Sequence, residues 1–187
     1  MKLSDLKAGS NTKQTLLLPV ASPYPVEITA ICGSQPGKTL IVTAGIHGCE
    51  YVGIEALNRL KKELDPAGLS GRVILLPLVN PEGFYMGAKQ TIPADGQNLN
   101  RMFPGDPAGT FSSRFAKILE KVLYPEADFL MDLHGGDINE ALTPLIFFPA
   151  AVPDTLADKT SAAAAALSVP YRVASTSKNG LYSWAAP

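Results

Sequence analysis

An α/β fold with a mixed, mainly parallel sheet flanked by helices is the class this sequence predicts, on two observations. Short apolar runs alternate along the chain with stretches of helical period. One of the runs, residues 40–44 (LIVTA), is apolar almost throughout, as a strand buried on both faces requires. In such sheets ligands gather beyond the carboxyl ends of the strands, so the ends of the apolar runs are where chemistry is expected.

The elements follow in order. Residues 26–31 (VEITAI) and 40–44 read as strands. Residues 50–64 carry Leu57, Leu60 and Leu64 at i, i+3 and i+7, which predicts a helix stopped by Asp65-Pro66. Residues 73–79 (VILLPLV) are the next strand, with Pro77 placing part of it at an edge or bulge. Periodicity then vanishes from 80 to 110, a stretch rich in glycine and proline with aromatics Phe84, Tyr85 and Phe103 among them. A connection that long inside a compact domain predicts an ordered functional loop. A helix begins at Phe111, with Phe115, Ile118, Leu119 and Val122 on one face. Strands are expected at 128–133, 145–148 and 171–174, with a helix over 154–167 that includes the run Ala162 to Ala166.

Composition excludes several classes. The 187 residues suffice for one domain, and 46% hydrophobic with 18% charged is the balance of a globular protein. A net charge of -1 gives no general attraction to nucleic acid or to an anionic membrane. No run approaches the ~20 apolar residues of a membrane span, and the N-terminus lacks the apolar core of a signal peptide, so a cytoplasmic protein is expected. Cys32 and Cys49 form no zinc-ribbon spacing and read as small buried thiols.

The chemistry concentrates in few residues. The chain has two histidines, and each ends an apolar run and precedes glycine: Ile46-His47-Gly48 and Leu133-His134-Gly135. If the two strands are parallel neighbours, both imidazoles emerge on one rim. Glu50 lies one helical turn beyond His47 and reaches the same point. Two imidazoles and a carboxylate are a catalytic zinc set with a fourth position open for water. The alternative for each histidine alone is a satisfied core side chain, with Glu50 as an acid at a helix start. In the irregular stretch, Arg101 offers a two-pronged clamp for a carboxylate and Asn100 an amide beside it; pairing of Arg101 with Asp95 or Asp106 is the structural alternative.

The segments GIHGCEYVG, NPEGF, DGQNLNRMFPG and DLHGG, in this order, resemble the succinylglutamate desuccinylase and aspartoacylase family, an offshoot of the zinc carboxypeptidases. The resemblance runs from about Leu40 to Gly136. It implies a zinc carboxypeptidase-like fold, zinc on His47, Glu50 and His134, and a substrate carboxylate held by Asn100 and Arg101. It also implies hydrolysis of an amide, removing an acyl group from an amino acid. The substrate is then small and carboxylate-bearing, with no nucleic acid or membrane partner. Two departures stand out. Where relatives carry an arginine that polarises the scissile carbonyl, this chain has Gln90, with Lys89 beside it. The family's general-base glutamate lies on a later strand and is expected beyond Pro187, so the expectation is that residues 1–187 are a single zinc-hydrolase-like domain lacking the C-terminal part of the family fold. Glu140 follows His134 too closely to take that role. A shortened, catalytically silent zinc-binding module and a carboxypeptidase-like peptidase are the alternatives to a deacylase.

Overall fold

The computed structural model describes residues 2–18, 20, 22–178, 180 and 181. Five strands form the main sheet: β1 (Thr12–Leu18), β2 (Val26–Cys32), β3 (Gln35–Ala44), β4 (Ser70–Leu76) and β5 (Phe129–Leu133), in the spatial order β1-β2-β4-β3-β5. β1 pairs antiparallel with β2 and β2 with β4, whereas β3 runs parallel to both β4 and β5. The sheet is therefore mixed, with β4, β3 and β5 running parallel on one side and β2 reversed between β1 and β4. Helix α1 (Tyr51–Glu63) crosses from β3 to β4, and α3 (Phe111–Leu123) precedes β5.

The pleat of β3 and β4 explains how both faces are covered. Ile41 and Ile74 turn into a core with Phe115, Ala116 and Leu119 of α3, while Val42 and Leu75, one residue on, pack with Ile54 and Leu57 of α1. Side chains that alternate between two apolar layers give near-continuous apolar strands, the pattern read in the sequence. β4 ends at Leu76, so Pro77 lies just past the strand rather than in an edge or bulge of it. The β2–β4–β3 order makes β4 a central strand, where a residue without an N–H has no place.

The irregular stretch is ordered by side chains bonding to backbone. It contains the short helix α2 (Pro81–Tyr85), capped by Asn80 Oδ1 on the Gly83 N–H, and a 3₁₀ turn at Leu99–Arg101. Asp95 accepts hydrogen bonds from the Ser112 N–H and hydroxyl, both at 2.7 Å, and so ties the loop to the start of α3. Glu120 accepts from the Gly105 N–H at 2.6 Å and pins its far end. β6 (Leu145–Pro149) and β7 (Tyr171–Ser175) form a separate parallel pair linked by α4 (Asp154–Ala165). No helix among the described residues is long and apolar enough to cross a membrane.

Candidate metal centre

β3 and β5 are direct parallel neighbours, with Ala44 opposite Leu133, so both histidines leave the sheet at one rim. The chain beyond β3 turns through Gly45 to Gly48 and places Glu50 at the N-cap of α1. Gly48 is required here, because a Cβ would run into the backbone of Gly83 and Phe84 in α2. Glu50 does not cap its own helix. Its carboxylate turns instead to the histidines: Oε1 lies 2.8 Å from His47 Nδ1 and Oε2 lies 2.9 Å from His134 Nδ1. Oε2 also accepts the Gly135 N–H at 3.0 Å. The candidate ligand atoms of His47, Glu50 and His134 all lie within 4.8 Å of one another. The histidine and glutamate of GIHGCE are thus brought together with His134 at one point.

The opposite nitrogen of each ring is also engaged. His47 Nε2 lies 3.1 Å from Asn98 Oδ1, and His134 Nε2 lies 2.9 Å from Asp132 Oδ2. Both partners accept, so both rings carry a proton on Nε2 and turn Nδ1 toward the Glu50 carboxylate. Two lone pairs and a carboxylate cannot face one another without positive charge between them. This donor set fits a divalent cation, with the hydrogen bond at the far nitrogen fixing each ring.

Without an ion, a proton takes the cation's place. Burial alone raises a carboxyl, yet hydrogen bonds and charge from His134 and His47 outweigh it and hold Glu50 down at about 2. Burial likewise lowers an imidazolium, yet the hydrogen bonds and charges of Asp132 and Glu50 outweigh that and lift His134 to about 10. Asp132 is itself anchored, its other oxygen accepting the Thr43 hydroxyl at 2.6 Å.

The remaining expected residues divide. Asn100 is buried at the rim, with Nδ2 3.3 Å from His134 Nε2. Arg101 is exposed beside it, and its Nη1 donates to the Asn100 carbonyl at 3.3 Å. Asp95 is committed to Ser112 and Gln97, and Asp106 to the Ala108 N–H, so neither takes Arg101. Gln90 is exposed on the loop after α2, and among the described residues no hydrogen bond joins it to the histidine–glutamate cluster. Lys89 leans toward Asp137, with Nζ 3.8 Å from Oδ2. Glu140 turns its carboxylate back to the Asp137 N–H at 3.1 Å, away from any role as a base. Asp132 and Asn98 are the site residues that sequence reasoning missed. Asp132 had a signal: it stands near the end of β5, two residues before His134, which follows the strand directly, so the period of two brings both to one side.

Residues 36–186 match the model of the succinylglutamate desuccinylase/aspartoacylase catalytic domain. The chain belongs to this family. Among curated relatives, the N-alpha-acetyl-L-2,4-diaminobutyric acid deacetylase of Halomonas elongata is 44% identical over 100 residues, which is 54% of this chain and 29% of that protein. The succinylglutamate desuccinylase of Pseudomonas paraeruginosa is 38% identical over 134 residues, 66% of this chain and 39% of that one. A succinylglutamate desuccinylase structure from Silicibacter sp. superposes with a TM-score of 0.80 at 31% identity, covering 94% of this chain and 55% of its own. The product-bound ectoine utilization protein EutE (DoeB) of Ruegeria pomeroyi gives 0.78 at 28% identity, with 93% and 55% covered. The chain thus spans about half of these solved relatives and less of the curated ones.

Proposed function

We infer that this chain provides the metal-binding part of a zinc-dependent amide hydrolase that removes an acyl group from an N-acyl amino acid. The observation that carries the reading is the convergence of His47 Nδ1, His134 Nδ1 and the Glu50 carboxylate, each ring being held from behind by Asn98 or Asp132. Zinc on these three residues would supply a Lewis acid and, near neutral pH, a hydroxide from bound water.

The protein's own residues set the geometry around it. Asp132 and Asn98 keep the Nε2 protons in place, so that the Nδ1 lone pairs stay available. Arg101, exposed and unpaired with any carboxylate among the described residues, clamps the substrate's carboxylate, and Asn100 adds amide donors beside it. Gln90 serves as a neutral donor from the loop after α2, in place of a charged one. Of the nearby carboxylates among the described residues, Asp132 is committed to Thr43 and His134 and Glu140 to the Asp137 N–H, while Asp137 Oδ1 is buried without a partner. The family resemblance, rather than elimination, assigns the proton acceptor to a glutamate outside the described residues.

The relatives named above act on an acetylated diamino acid and on succinylglutamate, both of which place an amide next to a carboxylate. An N-acyl amino acid is the matching substrate class here. A cytoplasmic setting agrees with that small substrate and with two free, buried cysteines.

Metal analysis and turnover test the reading together. The purified chain is expected to hold near-stoichiometric zinc, lost in His47→Ala and His134→Ala. The longest natural product of the gene is expected to hydrolyse at least one of N-acetyl-L-2,4-diaminobutyrate, N-succinyl-L-glutamate and N-acetyl-L-aspartate. Zinc that survives both substitutions sinks the site. Zinc binding without turnover on any of the three favours a silent metal-binding module.

A further inference from the structure

Asn100 is joined to a distant part of the chain by a bond that the carboxylate-binding role does not explain. Its Oδ1 accepts the Leu181 N–H at 2.9 Å, across 81 positions of sequence. Leu181 is fully buried in the core on the α3 side, and its carbonyl accepts the Tyr124 hydroxyl at 2.8 Å. Burial, with the charges of Glu120 and Asp132, pushes that hydroxyl far above its ordinary range and keeps it a donor. Both backbone groups of Leu181 are therefore held by side chains at the metal rim and at the end of α3.

The bond decides how the Asn100 amide faces. A backbone N–H can meet only the oxygen of an amide, so Oδ1 points to Leu181 and Nδ2 points to His134. His134 Nε2 already gives its proton to Asp132, so it does not consume the Nδ2 donors. Those N–H groups are left facing the metal rim. Gly180 makes the approach possible: its φ of +102° suits glycine, and a Cβ there would sit 3.1 Å from Asn100 Oδ1.

We propose that the Gly180–Leu181 peptide is a positioning element of the metal site, one that takes Asn100 Oδ1 and thereby presents the Nδ2 donors to an anionic oxygen bound at the rim. The metal-site part rests on the hydrolase reading above; the orientation of Asn100 does not.

Amide hydrogen exchange at Leu181 and the side-chain amide resonances of Asn100, read on the whole chain, test this. Leu181 exchanges slowly in the parent. It stays slow in Asn100→Asp, whose carboxylate still accepts the N–H, and speeds up roughly tenfold or more in Asn100→Ala and Gly180→Ala. In the zinc-loaded parent, added acetate shifts the Asn100 amide resonances; in zinc-loaded Gly180→Ala it does not. Unchanged Leu181 exchange in Asn100→Ala, or an acetate shift in Gly180→Ala equal to the parent's, overturns the proposal. A chain that takes up no zinc yet shows the exchange pattern refutes the hydrolase reading and leaves the orientation of Asn100 standing.

Discussion

The Thr43 hydroxyl donates to Asp132 Oδ1 at 2.6 Å, from the strand beside it, while the other oxygen of the same carboxylate holds the His134 ring. Asp132 has only 1% of its side chain exposed, so its charge is spent on these two partners. Breaking the relay at Asp132 frees the ring to turn and to lose its Nε2 proton. Asp132→Asn is expected to weaken zinc binding roughly 10- to 100-fold with the fold intact. Thr43→Val is expected to do less, because the carboxylate still meets the ring. Competition with a chromogenic chelator measures both, and an unchanged affinity in Asp132→Asn would remove this residue from the site.

How much of this was legible follows from where the signals lie. His47, Glu50 and His134 were readable because each sits beside a marker that sequence displays, the end of an apolar run or one helical turn past it. Asp132 was passed over because a carboxylate in DFLMDL looks like an interruption of a strand until its neighbour Thr43 is known. Strand β1 was not read at all: its alternation of half-buried and exposed residues leaves Leu17 in solvent and gives a faint period. The antiparallel pairing of β2 was equally invisible, since direction depends on partners far away in sequence. The bond between Asn100 and Leu181 is the extreme case, a contact that no local pattern encodes.

Asp95 gives a prediction about acid. Burial is the largest single influence and raises its carboxyl, but hydrogen bonds from the Ser112 hydroxyl and N–H, the Gln97 N–H and Thr110 together outweigh it, and the group is held below its ordinary range. A carboxyl lowered on folding adds stability above its unfolded pKa and loses it as pH falls through the folded one. The parent is therefore expected to lose stability as pH drops below ~4, the unfolded value for aspartate. In Asp95→Asn that part of the acid limb flattens, and stability at neutral pH falls by roughly 1.5–3 kcal/mol for charge-assisted bonds lost. Urea titrations across pH read both effects, and an Asp95→Asn curve parallel to the parent's at low pH would refute the assignment.

Arg72 stakes the N-terminal segment to the sheet. The guanidinium is buried and donates to the carbonyls of Leu3 and Leu6 and to Glu126 Oε2, the last at 2.7 Å. Removing one member of a buried pair strands the other charge. Glu126→Ala is expected to cost about 3–5 kcal/mol. Arg72→Met with Glu126→Leu together should cost less than the sum of the singles, because no charge is left alone. Thermal melts of Arg72→Met, Glu126→Leu and the double variant decide this, and simple additivity would show the pair to be uncoupled.

Arg101 separates binding from chemistry. Its side chain is exposed at the rim, it donates to the Asn100 carbonyl, and no carboxylate among the described residues takes its fork. A clamp on a part of the substrate that does not react is made equally in the ground state and the transition state. Arg101→Ala in the longest natural product is therefore expected to raise KM roughly tenfold to a hundredfold, from about 1.5–3 kcal/mol of charge-assisted bonding, with kcat nearly kept. Arg101→Lys should recover only part of the loss, since an ammonium keeps the charge and not the two parallel donors. Zinc content should stay at the parent's level in both variants, because among the described contacts Arg101 meets none of the three side chains proposed to bind metal. Steady-state kinetics on an N-acyl amino acid settles the point: a fall in kcat with KM unchanged would move Arg101 from the substrate's carboxylate to the reacting centre.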